Sequence, residues 1–205
     1  MYDLNPVYAD DCENENEEVT DHSEWIHFLT TVENAQSAED LEDIFEIDHF
    51  LYEMAIEYLV LGWDHILSSH NFYLYKQPNG KWIYLIHDFD LDIGAKEETN
   101  VNLSFREFAK PIHIMNLLIF NDSSRFDKIL ADVVKEVFNP STLYPHIDEL
   151  KQFLRPYIEL DKIPDDSGNL PGAINKKGRN SFSVEQWDMP ILNLLHLYMI
   201  GTCLD

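Results

Sequence analysis

Three aspartates within five residues, Asp88, Asp90 and Asp92, follow directly on the apolar run Trp82–Ile86, and a carboxamide, Asn71, stands just before the aromatic run Phe72–Tyr75. Oxygen donors of this kind suit a hard divalent cation, because Mg²⁺ takes carboxylate and carbonyl oxygens and keeps some of its waters. Asp64 lies a short loop upstream of Asn71. If residues 88–92 stay extended, Asp88, Asp90 and Asp92 share one face while Phe89, Leu91 and Ile93 point to the other. The plain alternative is a set of solvated acids, common at strand ends on so acidic a chain. What favours a cation is placement: three like charges directly after a strand repel one another unless something positive sits among them. A calcium loop fails on spacing, since its sixth and twelfth positions require Gly and Glu and here hold Ile93 and Thr99. A strand followed by Asp-x-Asp also occurs in metal-dependent glycosyltransferases, which stay open as an alternative although no run of parallel βα units is visible.

The elements that must position these residues can be read from periodicity. Phe50, Leu51, Met54, Ala55, Tyr58 and Leu59 recur at helical spacing, which predicts a helix from an N-cap at Asp48 to near Gly62. The period then changes. Phe72–Tyr75 and Trp82–Ile86 are aromatic and branched runs around Gln77-Pro78-Asn79-Gly80-Lys81, predicting a hairpin whose Asn-Gly pair takes positive φ. An antiparallel pairing of these runs brings Asn71 near Asp88. Trp25, Phe28, Leu29 and Val32 predict an earlier amphipathic helix capped near Asp21 and Ser23, and a short helix follows over Ala38–Phe45. Downstream the pattern is helical: Ser104–Phe120 broken at Pro111, Asp122–Phe138 burying Phe126, Ile129, Leu130, Val133 and Val137, and a helix opened by Pro140 and running to about Tyr157. Residues 159–180, rich in Pro, Gly, Asp and Asn, read as a surface loop, and Phe182–Cys203 as a closing apolar segment.

Composition narrows the function. The 205 residues include 38 Asp or Glu against 14 Lys or Arg, a formal charge of −24, with 45% hydrophobic residues. That apolar content builds a core, while the charge excludes direct binding to nucleic acid or to an anionic membrane surface. No apolar run is long enough to span a bilayer, and Met1–Pro6 has neither the basic nor the apolar stretch of a leader. Cys12 and Cys203 have no metal-site spacing; they read as two thiols or as one bridge. No Lys or Arg precedes Lys76. Residues 1–22, dense in acids, read as a flexible segment.

Taken in order, Ile47–Leu59, Gly62-Trp63-Asp64, Asn71-Phe72-Tyr73-Leu74-Tyr75 and Asp88-Phe89-Asp90 with Gly94 resemble the core of the CotH family, spore-coat and cell-surface proteins of bacteria and fungi with an atypical protein-kinase-like fold. The resemblance covers about residues 23–155 well. It implies an α+β, mostly helical fold, in which helices like those of a kinase C-lobe surround a central β-hairpin carrying the metal-site residues. By analogy with kinases, it implies Asp64 as the catalytic aspartate, Asn71 and Asp88 as metal ligands and Asp90 as a second ligand or support. The implied cofactors are Mg²⁺ or Mn²⁺ with ATP, and the implied substrate is a Ser or Thr hydroxyl of a coat or cell-surface protein. His65, His70 and His87 read as solvated or hydrogen-bonded neighbours, and Trp63, Tyr73 and Tyr75 as packing residues.

The family's preceding nucleotide-binding segment, with its Gly and Lys or Arg, has no counterpart before Lys76. The expectation is therefore a partial domain over 23–205, C-lobe-like and without the N-terminal lobe, inactive or weak by itself. A catalytically inactive surface or spore-coat binding module is the alternative, with the coat, the cell surface or the secreted fraction as its location by resemblance.

Overall fold

The helical stripe of residues 47–59 must be covered, because six of its apolar side chains repeat on one face. In a computed structural model, which describes Leu4 and residues 14–68, 70–89, 92–93, 100, 102–171 and 183–188, that stripe is buried on all six: Phe50, Leu51, Met54, Ala55, Tyr58 and Leu59. The helix, α2, spans Ile47–Leu59. It is preceded by α1, Ser23–Asn34, which buries Phe28, Leu29 and Val32 as their spacing predicts. The chain forms two compact units, residues 1–135 and 136–205.

In the first unit α2 packs against β2 of a two-stranded antiparallel hairpin, β1 (Phe72–Lys76) and β2 (Trp82–Ile86), with Phe72 opposite Ile86 and Lys76 opposite Trp82. A run of rings joins the pieces. Phe28 meets Trp82 at 5.1 Å and Phe45 at 5.7 Å, Phe45 meets Phe50 at 5.5 Å, Phe50 meets Tyr84 at 5.4 Å, and Tyr84 meets Phe72 at 5.1 Å. Each such pair adds about 0.5–1.5 kcal/mol beyond the area it buries. The segment entering α2 lies along β2: Trp82 N–H donates to Ile44 O and Glu46 N–H to Trp82 O, a parallel bridge at Phe45.

A second aromatic cluster closes the other side of α2. Tyr58 contacts Phe105 and Phe108 of α3 (Phe105–Phe108), its hydroxyl donates to Leu103 O at 2.8 Å, and the Phe105 ring meets that of Phe126 at 4.3 Å, tilted by 42°. Phe126 belongs to α5, Ser124–Glu136. Between α3 and α5, α4 begins at His113–Met115 and widens to a π-helical turn at Asn116–Phe120. Pro111 separates α3 from α4, as predicted.

Several local expectations are corrected. Asp48 does not cap α2; Glu46 occupies the N-cap without a side-chain bond, and the Asp48 carboxylate accepts from Arg125 Nε at 2.6 Å. The helix ends at Leu59 because Leu61 turns left-handed (φ 58°). Residues 38–45 form a 3₁₀ turn at Ala38–Asp40 rather than a helix, since the Asp40 carboxylate accepts from the Gln36 and Ser37 amides and draws the turn tight. In the hairpin turn Gly80 alone takes positive φ (91°), and Gln77 closes on Lys81, so the loop is longer than a two-residue Asn-Gly turn. Leu130 is half-buried and Val137 is exposed.

In the second unit, α6 spans Pro140–Asp161, past the predicted end at Tyr157. Asn139 Oδ1 caps it by accepting from Thr142 N–H at 3.0 Å, and Pro140 occupies the first turn, where its missing N–H costs nothing. Asp188 at the end of α7 (Val184–Asp188) pairs with Lys151 and Arg155 of α6, whose cations also lie over the Trp187 ring. Among the described residues no helix is long and apolar enough to cross a membrane. Cys12, Cys203 and most of the predicted closing segment lie outside the described residues.

Candidate functional site

The open end of the hairpin carries the predicted residues. Extending the register beyond Phe72 and Ile86 sets Asn71 opposite His87, and His87 N–H donates to Asn71 O at 3.1 Å. Asn71 and Asp88 thus leave the two strands side by side, one residue out of step. Both turn left-handed, Asn71 at φ 39° and Asp88 at φ 64°, a region that Asn and Asp enter more readily than other residues with a side chain. Asn71 Nδ2 donates to Asp64 Oδ2 at 2.9 Å, which ties the loop after α2 to the hairpin. The structure therefore brings Asp64 and Asn71 into contact, and places Asp88, exposed, at the same end. Asp90 lies outside the described residues.

One geometric expectation fails here. Asp88 and Asp92 do not share one face of an extended strand. Asp88 bends the chain, Asp92 N–H returns to Phe89 O at 3.2 Å, and Ile93 (φ 54°) donates its N–H to Val60 O at 2.5 Å. The turn sends Asp92 inward, where it is 4% exposed, while Asp88 faces solvent. Tyr73 and Tyr75 also depart from prediction: they are 46% and 54% exposed on the face of the hairpin away from Tyr84, which α2 covers at β2. Tyr73 stacks on the His87 ring at 4.7 Å.

The donor set fits a hard cation in chemistry. The hydrogen bond to Asp64 fixes the orientation of the Asn71 amide, since only its nitrogen can donate, and leaves the carboxamide oxygen as the group a cation would meet. Among the described residues, however, no three His, Cys, Asp or Glu side chains converge as a metal cluster.

Behind the open end lies a buried polar pair that sequence reasoning missed. Glu57 and His65 are both fully buried, with Glu57 Oε1 3.3 Å from His65 Nδ1. His65 Nε2 lies 3.0 Å from His87 O. Tyr84, also buried, accepts from Ile66 N–H at 3.1 Å through its hydroxyl. Gly62 makes room: a Cβ there would lie 2.9 Å from both Glu57 Cγ and His65 Nδ1. Burial pushes the Glu57 carboxyl above its ordinary range, against the opposing pull of His65. Burial alone would lower the imidazole, but Glu57 and the His87 carbonyl outweigh it and hold it above its usual value. The available signal was Glu57 itself, an acid three residues after Met54 and seven after Phe50, squarely on the apolar face of α2.

A depression of about 270 Å³ lies at the opposite end of the hairpin, between α1 and the turn, lined by Ser23, Glu24, His27, Lys76 and Trp82. Glu24 and Lys76 form an ion pair across it, and none of the predicted site residues reaches it.

Comparison with known proteins adds the following. The family model described as CotH kinase protein matches residues 4–188. Three proteins of the fungus Rhizopus delemar are similar: Invasin CotH3, 33% identical over 146 residues (65% of this chain, 24% of the relative), Invasin CotH2, 31% identical over 136 residues (60% and 23%), and Spore coat protein homolog 1, 30% identical over 129 residues (58% and 21%). The matched stretch is thus about a quarter of each relative's length. No solved structure matches the chain.

Proposed function

We propose, on the premise that this chain belongs to the CotH kinase protein family, that it is the kinase-C-lobe-like part of an atypical protein kinase, transferring the γ-phosphoryl of ATP to Ser or Thr hydroxyls of coat or surface proteins. The observation that carries the reading is the Asn71–Asp64 hydrogen bond beside Asp88 at the open end of the hairpin. Kinases need a carboxylate that orients the attacking hydroxyl, and oxygen ligands within reach of it that hold the metal on the phosphates. Asp64 takes the first role: with one oxygen accepting from Asn71, the carboxylate is held in one orientation toward an incoming hydroxyl, whose proton it accepts as phosphoryl transfer proceeds. Asn71 and Asp88, with Asp90, supply the ligands. Bound Mg²⁺ or Mn²⁺ neutralises charge on the transferring phosphoryl group.

The test separates the roles. Calorimetry with Mg–ATP on Asp88→Ala should show binding lost, whereas Asp64→Ala should bind nucleotide and lose phosphoryl transfer in a radiolabel assay. Unchanged nucleotide binding in Asp88→Ala would end the kinase reading.

A second reading is a surface or coat module that binds partners without catalysis. It is favoured by the names of the relatives, two of them invasins and one a spore coat protein homologue, and by the charge of −24. Partner capture unaffected by Asp64→Ala and Asp88→Ala, with no transfer in the parent chain, would select it.

A further inference from the structure

The buried Glu57–His65 pair sits where it can govern the site without touching it. His65 follows Asp64 in the chain, and the carbonyl that faces its Nε2 belongs to His87, which precedes Asp88. A carbonyl can only accept, so Nε2 carries a proton and donates; this fixes the tautomer. Nδ1 then faces Glu57 Oε1 at 3.3 Å, and one proton is shared between them, whether it resides on the ring or on the carboxyl. Apart from this contact, neither carboxylate oxygen of Glu57 has a hydrogen-bond partner among the described residues, so the ring is its only polar partner there. The Phe89 ring lies 5.4 Å from the imidazole and holds its position from the side of residue 88.

We propose that His65 is a positioning residue: anchored on α2 by Glu57, it grips the His87 carbonyl and so sets Asp64 and Asp88 in register across the open end of the hairpin. This rests on the reading of Asp64 and Asp88 as one site. The anchor is a rigid one, because α2 is the most buried helix of the unit and Gly62 lets the loop lie directly over the pair. A second strut, Ile66 N–H to the Tyr84 hydroxyl, holds the same loop to β2 one residue further on. Groups that orient a site from behind commonly change its affinity for metal by about 10- to 100-fold when removed.

The experiment uses the full chain with His65→Gln, Glu57→Gln, the double variant and His65→Ala, each held well below its unfolding midpoint. Mn–ATP affinity is read by calorimetry, and the amide signals of Asp64, Asn71, Asp88 and Gly80 by NMR without ligand. His65→Gln keeps a donor for only one of its two partners. It and Glu57→Gln should each weaken Mn–ATP by about 10- to 100-fold, and the double variant should lose no more than His65→Gln alone. The signals of Asp64, Asn71 and Asp88 should move together while Gly80 at the far end stays in place. Parent-like Mn–ATP affinity in the folded single variants overturns the positioning role and leaves the kinase reading intact. If the parent chain, expected to bind weakly by itself, shows no Mn–ATP binding, the NMR signals decide: movement confined to residues beside His65, with Asp88 unmoved, overturns the positioning role, and joint movement of Asp64 and Asp88 sustains it.

Discussion

The two ends of the hairpin reverse direction by opposite means. At the turn, the left-handed position belongs to Gly80, which has no side chain to object and nothing within 4 Å of where one would stand. At the open end, left-handed backbone is imposed on residues with side chains: Asn71 and Asp88 beyond the strands, and Leu61 and Ile93 in the segments they meet. Such conformations cost of order 1–3 kcal/mol each and persist only where surrounding structure over-determines them. Here the surroundings are the Glu57–His65 pair, the Tyr84 hydroxyl and the Ile93–Val60 backbone bond. The turn end is shaped by local chemistry, the open end by tertiary anchors, and only the open end carries the candidate site.

The sharpest way to break that contrast is to remove an anchor. Glu57→Ala leaves the buried imidazole without its counter-charge, and urea unfolding should register a loss of about 3–5 kcal/mol. An unchanged midpoint would show that the pair supports nothing. Gly62→Ala pushes a methyl into Glu57 and His65 and should cost about 1–3 kcal/mol in the same assay. Gly80→Ala, at the end without anchors, should cost only about 1 kcal/mol, entirely from positive φ, and should leave nucleotide binding untouched.

The gentlest perturbation is pH. His65 faces Glu57 and the His87 carbonyl, with Asp92 acting on it electrostatically, and its pKa lies above the ordinary 6.5. The folded state therefore holds its proton more tightly than the unfolded chain. The resulting stability is complete below about pH 6.5 and is lost as pH rises through the folded-state value. Glu57 and Glu53, both raised by burial, act with the same sign, their contribution fading as pH climbs above the ordinary 4.5. Thermal midpoints should fall between about pH 6 and pH 8, and Glu57→Gln should flatten the decline. A midpoint that rises over that range contradicts the sign.

What the sequence disclosed follows the same division. Elements governed by local pattern were legible: α1 and α2 from their apolar spacing, the two strands from their change of period, and the nearness of Asn71 to Asp88 once the hairpin was inferred. What depended on tertiary anchors was not. Asp88 and Asp92 looked equivalent by alternation, but a left-handed bend at Asp88, enforced from outside the segment, sends one to solvent and the other inward. Tyr73 and Tyr75 looked like core because aromatic residues usually pack, yet a two-stranded sheet has one covered face and they stand on the other. His65 resembled its solvated neighbour His70; what distinguishes it is the acid that Glu57 places on the buried face of α2, a partner visible only once the helix is folded.

The short parallel bridge at Phe45 has a consequence for how the protein behaves among its own copies. A hairpin strand normally exposes a row of backbone donors and acceptors that invites strands of other molecules. Ile44 O and Glu46 N–H already engage both polar groups of Trp82, so a foreign strand cannot run the full length of β2. Three residues of connecting chain thus serve as a guard against aggregation, and they are the same residues that deliver the chain into α2.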